Sequence, residues 1–255
     1  MPASFDLSGR VALVTGANTG LGQAIAIALA AAGADIVAAG RTEPEETAAR
    51  VHALGRRFFS IHADLADSAP MQDLATRAIA AFGQVDILVN NAGIIRRADA
   101  LDVSEEDWDA VLDTNLKSLF FLSQALARHM RSLGCGLGRG KIVNVASLLS
   151  FQGGIRVPAY AASKSAVAGL TRALANEWAA HGINVNAIAP GYIETANTAA
   201  LRADTARSAQ ILDRIPAGRW GRPDDLAGAA VFLASAASDY VHGVVLPVDG
   251  GWLAR

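Results

Sequence analysis

Short apolar runs rich in β-branched residues alternate along this chain with longer, alanine-rich stretches of helical pattern. Apolar runs of four to eight residues are typical of buried strands, and longer amphipathic stretches are typical of helices. The pattern predicts strands at 10–15, 35–39, 58–63, 86–90, 141–146, 183–189 and 244–248. It predicts helices at 21–32, 44–54, 69–82, 104–132, 159–181, 198–214 and 223–234.

Regular alternation of strands and helices predicts βαβ units, and therefore a parallel sheet covered by helices on both faces. No internal repeat, linker or break in composition divides the chain. We therefore expect one α/β domain over residues 1–255, with the helical segment around 192–222 on the substrate side. Ser104 and Asp107 resemble an N-terminal capping box for the helix at 104–132.

The first predicted strand leads through a glycine-rich turn directly into a helix. Gly16, Gly20 and Gly22 have the spacing G-x-x-x-G-x-G. Glycines at the first βα turn let the backbone approach a pyrophosphate, which binds at the helix N-terminus. This context predicts a dinucleotide site.

The end of the second predicted strand indicates which dinucleotide binds. An Asp or Glu there holds the ribose 2′-hydroxyl of NAD, whereas a nearby Arg accommodates the 2′-phosphate of NADP. This chain has Gly40 and Arg41 at that point, while Asp35 lies at the wrong end of the strand and Glu43 lies beyond the turn. The residues favour NADP(H), although Arg41 as a solvated loop residue remains an alternative.

A second set of residues indicates proton-transfer chemistry. Tyr160 and Lys164 are four positions apart and so share one helix face. A phenol with a pKa near 10 is a poor acid or base at neutral pH, and an adjacent ammonium lowers that pKa. Ser147 follows the fifth predicted strand, at the sheet edge where open α/β folds bind ligands.

Together these features resemble the short-chain dehydrogenase/reductase family over essentially the whole chain. The matching stretches are Thr15 to Gly22, Asn90 to Gly93, Asn115, Ser147, Tyr160 with Lys164, and Pro190 to Thr195. The resemblance implies one Rossmann-type doubly wound domain with a seven-stranded parallel sheet. It also implies a homotetramer.

The resemblance assigns roles residue by residue. Tyr160 would be the general acid/base and Ser147 would polarise the substrate carbonyl. Lys164 would hold the nicotinamide ribose and tune Tyr160, and Asn115 would support a water-mediated proton relay. The implied cofactor-binding set is Gly16, Asn18, Thr19, Gly20, Leu21, Gly22, Arg41, Asp64, Leu65, Asn91, Ala92, Gly93, Tyr160, Lys164, Pro190, Gly191, Ile193 and Thr195.

Further stretches resemble the members of this family that act on deoxy-keto sugar acids. These stretches are residues 91–97, 150–158, 215–221 and 248–255. The resemblance implies interconversion of 3-deoxy-2,5-diketogluconate and 2-keto-3-deoxygluconate, or oxidation of 2-deoxy-D-gluconate at C3. Those enzymes are described as using NAD(H), which therefore stays open beside NADP(H).

An anionic sugar substrate agrees with the arginines expected near the site. Arg96 and Arg97 follow the fourth predicted strand, and Arg156 precedes Tyr160 by four residues. A guanidinium can bind a carboxylate through two parallel hydrogen bonds. Our hypothesis is that Arg97 or Arg156 holds the substrate carboxylate, and a solvated loop position is the alternative for each.

Composition limits the possible partners, metals and cellular location of the protein. A net charge of −2 lacks the basic excess of a dedicated nucleic-acid binder, so we expect no nucleic-acid partner. The five histidines lack metal-site spacing, so we expect no catalytic metal. The single Cys135 permits no internal disulfide, and neither a signal peptide nor a membrane span is evident, so we expect a cytoplasmic protein.

The charge count also draws attention to Lys164. The 22 basic residues include only three lysines, Lys117, Lys141 and Lys164, so that arginine predominates in this chain. A compact ammonium is not interchangeable with a planar guanidinium, which is consistent with a lysine kept beside Tyr160.

Two other functions remain possible from the sequence. A reductase of 3-oxoacyl thioesters would use the same chemistry, and Arg96, Arg97 and Arg128 could imitate a docking patch for an acidic carrier protein. A non-enzymatic nucleotide sensor would have no need for the Asn115, Ser147, Tyr160 and Lys164 set.

Overall fold

Seven parallel strands form one sheet in the computed structural model, which describes residues 4–66, 71–133 and 140–255. Across the sheet the strand order is β3-β2-β1-β4-β5-β6-β7. The strands are β1 Val11–Thr15, β2 Asp35–Gly40, β3 Phe58–His62, β4 Ile87–Asn90, β5 Gly140–Val145, β6 Ile183–Pro190 and β7 Val245–Val248.

Nine α-helices connect or flank these strands within the described residues. They are α1 Gly20–Ala31, α2 Glu45–Ala53, α3 Met71–Phe82, α4 Glu105–Leu112, α5 Ser118–Ser132, α6 Pro158–Trp178, α7 Ala199–Ala203, α8 Thr205–Arg214 and α9 Ala227–Ala234. In the described part of the chain, no helix is long and apolar enough to cross a membrane.

Buried side chains pack on both faces of the sheet. Successive residues of a strand point to opposite faces. In β1, Val14 therefore joins the cluster formed with α1 and α9, whereas Leu13 joins the cluster formed with α3 and α5. Both side chains are fully buried, which explains why β1 is an uninterrupted apolar run.

The sheet reverses its direction of winding between β1 and β4. The chain runs outward from β1 through β2 to β3 and then returns to pair β4 with the other side of β1. A crevice opens at such a switch point, at the carboxyl ends of the strands. The first glycine turn and the residues after β4 lie there together.

The predicted fold class is confirmed, and every predicted strand matches an observed strand with each end within one residue. Two predicted helices are interrupted. The helix at 104–132 contains a π-helical turn, Asp113–Lys117, in which the Ser118 hydroxyl bonds to the carbonyl oxygens of Asp113 and Thr114. The helix at 198–214 is divided at Asp204, whose carboxylate accepts the Arg207 N–H at 2.9 Å and caps α8.

The capping box predicted at Ser104 and Asp107 forms in part. Ser104 caps α4 by accepting the Asp107 N–H at 3.1 Å. In a full capping box the Asp107 carboxylate would accept the backbone N–H of Ser104. Here that carboxylate forms an ion pair with Arg96 at 3.2 Å instead. The first two residues of the helix predicted at 69–82, and Cys135, lie outside the described residues.

The segment around 192–222 forms a closed excursion above the carboxyl edge of the sheet. It contains α7 and α8, and an isolated parallel bridge between Ile193 and Gly221 joins its two ends. A Cβ atom at Gly221 would collide with the Ile193 Cδ1 atom, so a larger residue at this closure would require the Ile193 side chain to move.

Candidate active site

The first turn is shaped to receive an anion. α1 begins at Gly20 with no side-chain cap and no acidic residue in its first turn, so its backbone N–H groups are available and its dipole favours negative charge. A Cβ atom at Gly22 would collide with the Gly16 carbonyl oxygen and the Asn91 amide. Tight packing of the turn against the loop after β4 therefore requires glycine there.

The hydroxyl of Thr15 fixes that loop. Its oxygen accepts the backbone N–H groups of Asn91 and Ala92, each at 3.0 Å. In return the Asn91 side-chain amide donates to the carbonyl oxygens of Thr15 at 2.9 Å and Gly16 at 3.2 Å. The cofactor-binding set implied by the family resemblance omits Thr15, although its position before Gly16 at the end of β1 could have identified it.

The carboxyl end of β2 forms the next part of the crevice. Arg41 is exposed directly after β2, and the neighbouring Thr42 hydroxyl accepts a hydrogen bond of 2.7 Å from the Asn18 amide. Glu43 accepts a hydrogen bond of 2.8 Å from the Ser60 hydroxyl on β3. At the end of β3, Asp64 is exposed and Leu65 is buried. These residues lie at neighbouring strand ends and fit the adenosine half of a dinucleotide.

Ser147, Tyr160 and Lys164 meet beyond the end of β5. Ser147 follows that strand, and Tyr160 and Lys164 lie on successive turns of α6. Ser147 lies close enough to Tyr160 to lower the pKa of its phenol, and the Ser147 oxygen accepts the Leu149 N–H at 3.2 Å. The Lys164 Nζ lies 5.6 Å from the centre of the Tyr160 ring. The structure thus brings together the three residues that the sequence selects for proton transfer.

Burial shifts the pKa values of Tyr160 and Lys164. Burial raises the pKa of Tyr160, while Ser147 and the positive charge of Arg97 oppose that rise. Burial lowers the pKa of Lys164 to about 8. The Lys164 ammonium donates to the Val145 carbonyl oxygen at 2.7 Å. At neutral pH the site therefore contains a protonated phenol beside an ammonium that lies close to its titration range.

Asn115 lies in the π-helical turn and holds the loop after β4. Its Oδ1 accepts the Ile94 N–H at 2.8 Å, and its Nδ2 donates to the Ile94 carbonyl at 2.9 Å and to the Ser163 hydroxyl at 3.2 Å. A Cβ atom at Gly93 would lie 3.0 Å from the Asn115 Oδ1 and 3.8 Å from the Lys164 Nζ. Sequence reasoning missed Ser163, which precedes Lys164 directly.

Residues after β6 complete the crevice opposite the first turn. Pro190, Gly191, Ile193 and Thr195 run from the end of β6 into the 192–222 segment. A Cβ atom at Gly20 would lie 3.6 Å from the Thr195 methyl carbon. The two ends of the predicted dinucleotide site therefore face each other across a narrow gap.

The candidate arginines differ in their surroundings. Arg97 donates to the Asn197 carbonyl oxygen at 2.8 Å, and its charge reaches Tyr160. Arg156 has a left-handed backbone, with φ of 64°, and its guanidinium pairs with Asp99 at 3.1 Å. Arg97 therefore contacts the 192–222 segment and opposes the rise in the pKa of Tyr160, whereas the charge of Arg156 is balanced by a carboxylate.

No group of three or more His, Cys, Asp or Glu side chains within residues 4–66, 71–133 and 140–255 is arranged to hold a metal ion.

Comparison with known proteins connects this geometry to a family. A family model described as enoyl-(acyl carrier protein) reductase matches residues 16–253. The 2-dehydro-3-deoxy-D-gluconate 5-dehydrogenase of Dickeya dadantii (strain 3937) is 63% identical over 252 residues, which cover 99% of this chain and 98% of that protein.

The chain belongs to the short-chain dehydrogenase/reductase family. As a member of that family it is an NAD(P)-dependent oxidoreductase. The prediction that the chain is an enzyme is therefore confirmed, and the alternative of a non-enzymatic nucleotide sensor is excluded.

Two solved structures from the family show the same fold with a cofactor. A proposed 2-deoxy-D-gluconate 3-dehydrogenase from Agrobacterium tumefaciens, with bound NADP, has a TM-score of 0.91 and 62% identity, covering 98% of this chain and 99% of that chain. A gluconate 5-dehydrogenase from Burkholderia cenocepacia J2315, in complex with NADP and tartrate, has a TM-score of 0.92 and 44% identity, with 98% of each chain covered.

Proposed function

We propose that this short-chain dehydrogenase/reductase is an NADP(H)-dependent enzyme that interconverts 3-deoxy-2,5-diketogluconate and 2-keto-3-deoxygluconate. The carrying observation is that Arg97 bonds to Asn197 of the 192–222 segment, while its positive charge opposes the rise in the pKa of Tyr160, where Lys164 also lies. A proton donor beside a cation suits a carbonyl compound that also carries a carboxylate. The relatives named for deoxy-gluconate substrates support the same substrate class.

The side chains divide the work of carbonyl reduction. Bound NADP(H) supplies or accepts the hydride. The Ser147 hydroxyl donates to the carbonyl oxygen, and Tyr160 gives its proton to that oxygen as negative charge develops there. The Lys164 ammonium stabilises the resulting phenolate, and Asn115 supports the relay that returns a proton to Tyr160. Oxidation uses the same groups in reverse.

Arg97 would hold the substrate carboxylate. Its bond to the Asn197 carbonyl brings the guanidinium to the 192–222 segment, and its other N–H groups suit a carboxylate as the second partner. Arg156 is the weaker candidate because Asp99 already occupies its guanidinium. The 192–222 segment would then cover the substrate.

NADP(H) is the proposed cofactor because a cation follows β2. The uncapped start of α1 suits a pyrophosphate, and the exposed Arg41 with the neighbouring Thr42 hydroxyl suits a 2′-phosphate. The NADP-bound relatives support this choice. NAD(H) remains the alternative, since the resemblance to sugar-acid dehydrogenases allows it.

Product analysis tests the proposed reaction. The purified enzyme is incubated with 2-keto-3-deoxygluconate and NADP⁺, and carbon-13 NMR identifies the carbon that becomes a carbonyl. Oxidation at C5 would support the proposal. Oxidation of 2-deoxy-D-gluconate at C3, without reaction of 2-keto-3-deoxygluconate, would favour the alternative sugar-acid substrate.

A homotetramer in the cytoplasm is the proposed working form. Two aromatic side chains on helices flanking the sheet support association, since Trp108 on α4 is 37% exposed and Phe121 on α5 is 42% exposed. The single cysteine suits a reducing compartment. Light scattering after size-exclusion chromatography should give a mass about four times that of one chain.

A further inference from the structure

The C-terminal tail, residues 252–255, packs on the 192–222 segment. Trp252 is 4% exposed and belongs to a cluster with Ile211 of α8, Ile215 and Trp220. Leu148, the residue after Ser147, lies in the same cluster. This cluster is separate from the two that cover the faces of the sheet, so the tail and the catalytic loop share a small core of their own.

Arg255 closes the end of α8 from a distant part of the sequence. Its Nε donates to the Arg214 carbonyl oxygen at 3.2 Å, and its Nη2 donates to the Asp213 carbonyl oxygen at 2.5 Å. α8 ends at Arg214, and the last carbonyls of a helix lack donors within the helix. A guanidinium at this end satisfies those carbonyls and favours the negative end of the helix dipole.

Gln152 connects the tail and α8 to the loop that carries Ser147. Its Oε1 accepts the Trp252 Nε1–H at 3.1 Å and an N–H of the Arg214 guanidinium, from Nη2, at 3.5 Å. The Arg214 guanidinium also stacks over the Trp252 ring at 4.0 Å. Gln152 lies between Ser147 and the start of α6, so one amide oxygen joins the tail, the substrate-side helix and the catalytic loop.

We propose that the C-terminal tail positions α8 against the Ser147 loop and thereby fixes the width of the substrate side of the active site. Arg255 and Trp252 act through α8 and Gln152, so they are positioning residues. The inference rests on the proposed function in one respect, which is that the substrate binds beneath the 192–222 segment. The tail should therefore affect KM for the keto sugar acid and leave KM for NADPH unchanged.

Hydrogen–deuterium exchange of the full chain tests the positioning directly. In Arg255→Ala the amides of α8 should exchange roughly tenfold faster, because two bonds to the helix end are lost. Arg207→Ala is the matched control, since Arg207 lies on the same helix and its guanidinium bonds to Gln210 at 3.1 Å. That control should exchange like the wild type. Arg255→Lys should restore part of the protection, because an ammonium also donates to carbonyl oxygens.

Kinetics of the same variants test the consequence. Arg255→Ala should raise KM for 3-deoxy-2,5-diketogluconate roughly tenfold, with kcat and KM for NADPH near the wild-type values. Unchanged exchange of α8 would overturn the proposal, and so would faster exchange with an unchanged KM. If the wild type turned over no keto sugar acid, the proposed function would fail, and hydrogen–deuterium exchange alone would test the role of the tail. Faster exchange of α8 in Arg255→Ala would then support the positioning role, and unchanged exchange would overturn it.

Discussion

The Lys164 ammonium lies 5.6 Å from the centre of the Tyr160 ring, and burial holds its pKa at about 8. The ammonium bonds to a backbone carbonyl at 2.7 Å, and among residues 4–66, 71–133 and 140–255 no carboxylate compensates for its burial. A partly desolvated cation interacts strongly with a nearby phenolate because water screens the pair poorly. We propose that the lysine favours the ionised form of Tyr160 when the proton leaves.

Replacing the phenol of Tyr160 should slow turnover strongly. Tyr160→Phe removes the proton donor, and we expect kcat to fall on the order of a thousandfold, which is typical for the loss of a positioned general acid. NADPH affinity, measured by fluorescence titration, should change far less. Tyr240→Phe is the control, since Tyr240 is fully exposed. Turnover by Tyr160→Phe at the wild-type rate would contradict the mechanism.

The buried charge of Lys164 should destabilise the protein in a pH-dependent way. Its pKa of about 8 lies below the ordinary value of 10.5. Between these values the unfolded chain binds more protons, so the stability of the wild type should rise with pH. Lys164→Met lacks this dependence. Its free energy of unfolding relative to the wild type should therefore fall by about 2 kcal/mol from pH 7 to pH 9.5.

Urea unfolding without cofactor at the two pH values measures this difference. Lys117→Met is the matched control, because Lys117 is half exposed and pairs with Asp113 at 3.2 Å. The difference in free energy of unfolding between this control and the wild type should be nearly the same at the two pH values. A constant difference between Lys164→Met and the wild type would mean that Lys164 has an ordinary pKa in the folded protein.

Arg41 should determine the preference for the phosphorylated cofactor. Arg41→Ala removes the cation after β2, and we expect KM for NADPH to rise roughly ten- to a hundredfold, as for the loss of a hydrogen bond to a charged group. KM for NADH should change little. Arg50→Ala on α2 is the control, since Arg50 pairs with Glu46 on the helix surface. Wild-type preference for NADH would show the cofactor choice to be wrong.

Arg97 should bind the substrate carboxylate. Arg97→Ala should raise KM for keto sugar acids roughly ten- to a hundredfold, and KM for neutral ketones much less. The variant also removes a charge that lowers the pKa of Tyr160, so its pH–rate profile should move to higher pH. Arg156→Ala is the comparison and should have the smaller effect, because Arg156 pairs with Asp99. Equal losses with charged and neutral substrates would reject the hypothesis.

Local sequence patterns predict much of this molecule. Residues that are neighbours in the sequence determine the strand ends, the glycine turn and the Tyr160–Lys164 spacing. The carboxyl edge of the sheet can therefore be predicted from the sequence. The π-helical turn at Asn115 could not be predicted, because residues 104–132 have the pattern of one uninterrupted helix. Contacts between distant segments are equally hidden, such as Arg97 with Asn197 and Arg255 with the end of α8.

A comparison of two substrates tests the proposed function most directly. With NADPH and the wild-type enzyme, kcat/KM is measured for 3-deoxy-2,5-diketogluconate and for a 3-oxoacyl thioester. The expected result is a much higher kcat/KM for the sugar acid, which offers a carboxylate to Arg97. A higher kcat/KM for the thioester would contradict the assignment and favour a reductase of carrier-bound acyl chains.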